Sequence, residues 1–112
     1  MSSTATGHFI AQRASAVVLV VLGLWFACSI SGLDSLQHAV VHAFVAAPLN
    51  SVLLCLLCAT LAYHSYLGVQ VVIDDYVHAA RLNWLAQLAS RVLHVLAGLV
   101  SVYTAYDLGF GA

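Results

Sequence analysis

The sequence predicts an all-α membrane protein: three transmembrane helices, with a short interfacial helix between the first and second. Three observations lead there. Of 112 residues, 63% are hydrophobic and only 6% charged. The mean hydropathy is +1.02. The apolar residues also gather into three long stretches, which the few charges punctuate. Soluble domains carry about 25% charged residues, and a chain this short folded in water would leave much of its apolar surface wet. A bilayer removes the conflict. The net charge of -1, with no run of basic residues, excludes a nucleic-acid partner.

The first span is expected over 14–32, where no charge interrupts Ala14 to Ile30. With its flanks this stretch is long enough for the roughly 30 Å hydrocarbon layer. Arg13 ahead of an apolar run also has the outline of a cleaved signal sequence, the weaker of the two readings. Leu33 to Ala47 places Leu36, Val40, Val41 and Phe44 at helical spacing beside Gln37, His38 and His42, the pattern of an interfacial helix. The second span is expected over 49–73, directly after Pro48. The third is uncharged from Leu93 to Ala105 and covers 84–106 if Arg91 is accommodated. Each span must be helical despite its valines, because lipid cannot satisfy an open backbone. The chain is expected to form a single domain over 1–112, with Tyr103 and Tyr106 as interface anchors.

Three crossings put the N-terminus and the second loop on one side, and Arg13, Arg81 and Arg91 all fall toward it. The positive-inside rule makes that side cytoplasmic and places the C-terminus on the opposite side. Cys28, Cys55 and Cys58 lie in apolar stretches and read as small buried hydrophobes; the spacing of Cys55 and Cys58 alone is weak support for metal or redox chemistry. The spans show neither an internal repeat nor paired broken helices, which argues against a transporter.

Ionisable groups inside a span are costly and invite a functional reading. His64 is the main one, ten residues before Asp74, hence ~15 Å below that helix end. A neutral imidazole there can ligate a haem iron. Gly68, four residues on, leaves room on the same face for a flat macrocycle. The plainer alternative is a histidine bonding a neighbouring helix, with Gly68 allowing close approach. Asp75, eleven residues after His64, returns to within roughly 20° of its stripe. Next to it, Tyr76 can donate to a quinone carbonyl; an interfacial tyrosine beside a solvated acid is the commoner account of such a pair. His94 should reach the depth of His64, which leaves open a b-type cytochrome built from both, or a packed polar role beside Arg91. Tyr63 and Tyr66 flank His64, whereas His8, His38, His42 and His78 fall at or outside the interfaces.

His64-Ser65-Tyr66-Leu67-Gly68 followed by Asp75-Tyr76, with the Arg13-Ala14-Ser15-Ala16 start of the first span, resembles the hydrophobic membrane anchor subunits of succinate dehydrogenases. The likeness covers nearly the whole chain. It implies that His64 is an axial ligand of haem b, whose other histidine comes from a partner cytochrome b subunit. It implies further that Tyr76 bonds ubiquinone or menaquinone with Asp75 beside it, and that Arg13 lies near the haem propionates, where a guanidinium pairs with carboxylates. A positive-inside anchor is an equal account of Arg13. The implied partners are the cytochrome b, iron-sulfur and flavoprotein subunits. With no flavin or dicarboxylate motif, succinate itself is oxidised elsewhere. A haem-free structural anchor is the remaining alternative.

Overall fold

A computed structural model describes residues 2–111, with side chains from Thr4 onward. The chain folds into α1 (Ser2–Ser31), α2 (His38–Ala46), α3 (Pro48–Tyr76) and α4 (Ala80–Phe110). Over Thr4–Ser31, Pro48–Tyr76 and Ala80–Phe110 the three long helices are long and apolar enough to cross a membrane. At 1.5 Å per residue, a helix of 29 residues such as α3 runs roughly 43 Å and outreaches the hydrocarbon layer. The molecule accordingly measures 50 × 24 × 22 Å. α1 begins twelve residues before the expected span 14–32 and ends one residue short of it, 84–106 lies within the longer α4, and His8 and Arg91 both lie inside helical segments.

Local chemistry sets the breaks. Gly32, Asp34 and Ser35 favour turn conformations over helix, so α2 begins only at His38 and not at Leu33. It is amphipathic, with His38 and His42 exposed and Val40, Val41 and Phe44 half-buried. Ala47, extended at φ -63° and ψ 127°, separates α2 from α3, as expected for a residue before proline. Pro48 occupies the first turn of α3, where its missing N–H is not needed. The Asn50 amide donates to the Phe44 carbonyl at 3.0 Å and satisfies the end of α2. At the other end of α3, Asn83 closes the turn to α4 by donating to the Val77 carbonyl at 3.0 Å.

α3 is the middle of the bundle. It packs antiparallel against α4 along most of its length and against α1 over a shorter stretch, and among the described residues α1 does not pack on α4. The seams use small and polar residues: among the described residues Ser15, Ser51 and Ser90 are buried, along with only Leu54, Leu67 and Ala105 of the apolar ones. Helices in lipid gain nothing by hiding leucine from leucine, and associate instead through close backbone approach and hydrogen bonds. Along the α3–α4 seam, Ser51 donates to the Ala105 carbonyl, Cys55 approaches that of Val102, and Gln87 donates to that of Gln70 at 3.0 Å. The outer faces carry exposed Val17, Val20, Leu56, Leu93 and Leu99, among others.

Candidate functional site

His64 sits in the later half of α3, twelve residues before its end at Tyr76, hence about 18 Å from it. Its Nδ1 lies 2.8 Å from Ser15 Oγ on α1, and Ser15 is only 6% exposed. The same hydroxyl donates to the Gln12 carbonyl at 3.0 Å. A serine has one proton to give. With that proton on Gln12, the imidazole must be the donor, so Nδ1 carries hydrogen and Nε2 keeps its lone pair. Among the described residues Nε2 has no hydrogen-bond partner.

Around it, α1 turns a polar stripe toward α3. His8, Gln12 and Ser15 follow at i, i+4 and i+7, and His8 Nε2 and Gln12 Oε1 are buried without a protein partner. Gly68 faces Gln12, whose Nε2 would lie 3.8 Å from an added Cβ. That is ordinary contact, so helix packing does not require glycine here. Gly98 and Gly109 differ: a Cβ at Gly98 would meet the Ala62 Cβ at 3.3 Å, and one at Gly109 would overlap the Ser51 side chain.

His94 occupies the same level on α4 but is fully engaged. Its Nδ1 lies 2.8 Å from the Ser90 carbonyl and its Nε2 lies 3.0 Å from Ser65 Oγ. A carbonyl can only accept, so Nδ1 donates to it and Nε2 accepts from Ser65. Tyr66 packs edge-on against His94, with centroids 5.9 Å apart. Ala62, Tyr63, Tyr66, Arg91, His94 and Val95 line an open cleft of about 390 Å³ on that side of the bundle. His64 and His94 therefore bond different helices, and the structure does not bring them together as a pair.

Asp75 and Tyr76 lie at the end of α3, and Tyr76 is 80% exposed. No side chain of the described residues covers them. Their neighbour Asp74 is held instead: it accepts from the Asn83 amide at 3.1 Å and from the Gln87 amide at 3.0 Å. Arg13 is exposed, stacked over the Phe9 ring at 5.5 Å. Two positions from Ser15, it lies about 200° round the helix from the α3 seam. Among the described residues no group of three or more histidines, cysteines or acids gathers as a metal site.

Two roles escaped sequence reasoning. The Ser15 hydroxyl that holds His64 had a faint signal, a polar residue within an apolar span. The clasp on Asp74 had less, since a pairing between helices is not visible in either one alone.

The comparisons agree with this architecture. The family model described as "Succinate dehydrogenase/Fumarate reductase transmembrane subunit" matches residues 1–102. Among curated proteins, the chain is 28% identical over 99 residues to a succinate dehydrogenase hydrophobic membrane anchor subunit of Rickettsia bellii, covering 86% of this chain and 79% of that one. It is 27% identical over 105 residues to the protein of the same description from Rickettsia typhi, covering 91% and 84%. A match over nearly the full length, on a three-helix frame with a histidine held in mid-helix, means that the chain belongs to the succinate dehydrogenase/fumarate reductase transmembrane subunit family.

Proposed function

We propose that this chain is the hydrophobic membrane anchor subunit of a bacterial succinate:quinone oxidoreductase, supplying an axial ligand to haem b and part of the quinone-reduction site. The observation that carries the haem reading is the contact of His64 Nδ1 with Ser15 Oγ at 2.8 Å, a hydroxyl that also reaches the Gln12 carbonyl, from which it follows that Nε2 keeps its lone pair. The unfilled face at Gly68, where packing tolerates more than glycine offers, fits a flat macrocycle beside it. These residues fit the group. When bound, the haem supplies a one-electron level near the quinone site.

His64 would hold the iron from α3 through Nε2. With both His94 nitrogens engaged, this chain would offer the iron one histidine, and a second would have to come from the partner cytochrome b subunit. Arg13 makes no ion pair among the described residues, and it is free to receive a carboxylate such as a haem propionate approaching the outer face of α1. At the end of α3 the Tyr76 phenol donates a hydrogen bond to a quinone oxygen, and Asp75 relays protons as the quinone is reduced to the quinol. Exposure of both side chains suits a site completed by another subunit. The flavoprotein and iron-sulfur subunits carry out succinate oxidation and electron delivery. Arg81 lies at the end of the bundle where α3 turns into α4, and Arg13 and Arg91 fall toward that end from the level of His64 and His94, which supports a cytoplasmic N-terminus and a periplasmic C-terminus in the inner membrane. The short α2 then lies at the periplasmic interface, and the quinone, ubiquinone or menaquinone, meets the protein at the cytoplasmic boundary.

The test is Tyr76→Phe in the intact complex. A phenol hydrogen bond is worth about 1–1.5 kcal/mol, so quinone reduction should fall about tenfold. Succinate oxidation by an artificial acceptor, and haem content, should stay at the wild-type level. Unchanged quinone reduction would remove Tyr76 from the site.

A further inference from the structure

We infer that Ser15 is a positioning residue for His64: it locks the imidazole in the tautomer that presents Nε2 to iron, and it tunes the electron-donating strength of that nitrogen. The inference rests on the reading of His64 as a haem ligand.

Ser15 Oγ gives its proton to the Gln12 carbonyl three residues back on α1, which fixes the rotation of the hydroxyl and aims its lone pairs outward. Nδ1 of His64 meets those lone pairs at 2.8 Å. The opposite arrangement, with Ser15 donating to Nδ1, would put the ring proton on Nε2, where no described residue accepts it, and would abandon the Gln12 bond. The ligated tautomer thus needs no rearrangement of either helix. Ser15 is buried in the seam, and low dielectric strengthens such a bond.

Two consequences follow for the bound ligand. The bond crosses from α1 to α3, so it fixes the rotation of the ring about its Cβ–Cγ axis, and with it the orientation of the imidazole plane at the iron. Acceptance from Nδ1–H also makes the imidazole a stronger base at Nε2. A stronger donor favours ferric over ferrous iron and holds the midpoint potential down. His94 has the same kind of Nδ1 partner, the Ser90 carbonyl, yet its Nε2 is spent on Ser65. The free Nε2 distinguishes His64.

The experiment compares wild type, Ser15→Ala, Ser15→Thr and His64→Ala in the intact, purified complex. The readouts are haem content, the reduced-minus-oxidised spectrum, the g values of the low-spin ferric haem, and its midpoint potential. Alanine suits a helix at least as well as serine, so Ser15→Ala should keep all subunits together and keep wild-type succinate oxidation by an artificial acceptor. It should shift the potential upward and alter the largest g value, and Ser15→Thr should return both toward wild type, because threonine keeps a hydroxyl that can bond the preceding turn. A potential and g values in Ser15→Ala indistinguishable from wild type would overturn the role of Ser15 while leaving His64 as ligand. Haem loss in Ser15→Ala that threonine restores supports the inference, and haem loss in both overturns it. An unaltered spectrum and haem content in His64→Ala would overturn the ligand reading itself, and the inference with it.

Discussion

A single glycine in this chain can answer to its neighbours or to something outside the chain, and distances separate the two. Gly109 cannot accept a Cβ without displacing Ser51, Gly98 can do so only if Ala62 yields slightly, and Gly68 has room. In the detergent-solubilised complex, Gly109→Ala should therefore lower thermal stability most, by about 1–3 kcal/mol as for other overpacked sites, and Gly98→Ala less. Gly68→Ala should leave stability unchanged and reduce haem content. A Gly68→Ala variant with full haem content and an unshifted spectrum would make the bare face unrelated to the macrocycle. His64, Gly68, Asp75 and Tyr76 were all legible in the sequence because each is an anomaly against apolar surroundings. Ser15 was visible only as one position of the Arg13-Ala14-Ser15-Ala16 start, and its bond to His64 appears only when α3 is laid against α1.

At the level of elements, the end of α3 that carries Asp75 and Tyr76 is held by α4. Asp74 accepts amides from Asn83 and Gln87, and Asn83 also ties the Val77 carbonyl. Removing a carboxylate that satisfies two amides costs about 1–3 kcal/mol when buried, and toward the lower figure here because the group is exposed. Asp74→Ala should loosen this corner, lower the thermal stability of the complex modestly, and raise the KM for quinone, with haem content unchanged. Equal KM values would mean that the clasp does not position Tyr76. Periodicity and Pro48 placed the helices, and helix ends were less legible: α1 continues N-terminally to Ser2, and α2 starts five residues later than the hydrophobic pattern suggested. Flanking polar residues do not stop a helix whose backbone is already propagating, whereas Gly32, Asp34 and Ser35 offer the backbone alternative bonds.

The whole molecule is an open layer, α1 beside α3 beside α4, with most of its apolar side chains facing outward. Such a surface needs lipid and partner helices together. With His94 engaged at both nitrogens, the chain alone has one imidazole to offer at mid-depth. Purified in detergent without partners and supplied with haem, it should not give the spectrum of a bis-histidine cytochrome, while co-expression with the cytochrome b subunit should. A bis-histidine spectrum from the isolated chain, abolished by His94→Ala, would favour the single-chain cytochrome.

By itself the sequence determined the solvent, the number and approximate place of the long helices, and which side chains are out of place in lipid. Composition and period carry that information, and both are properties of one segment at a time. Tertiary structure alone decided which partner each of those side chains has. Ser15 rather than His94 lies against His64, and Asn83 with Gln87 holds Asp74, because the relative rotation and offset of packed helices are set jointly by small residues on two seams. No single helix encodes that choice, and it is what leaves one histidine nitrogen free while its counterpart on α4 is spent.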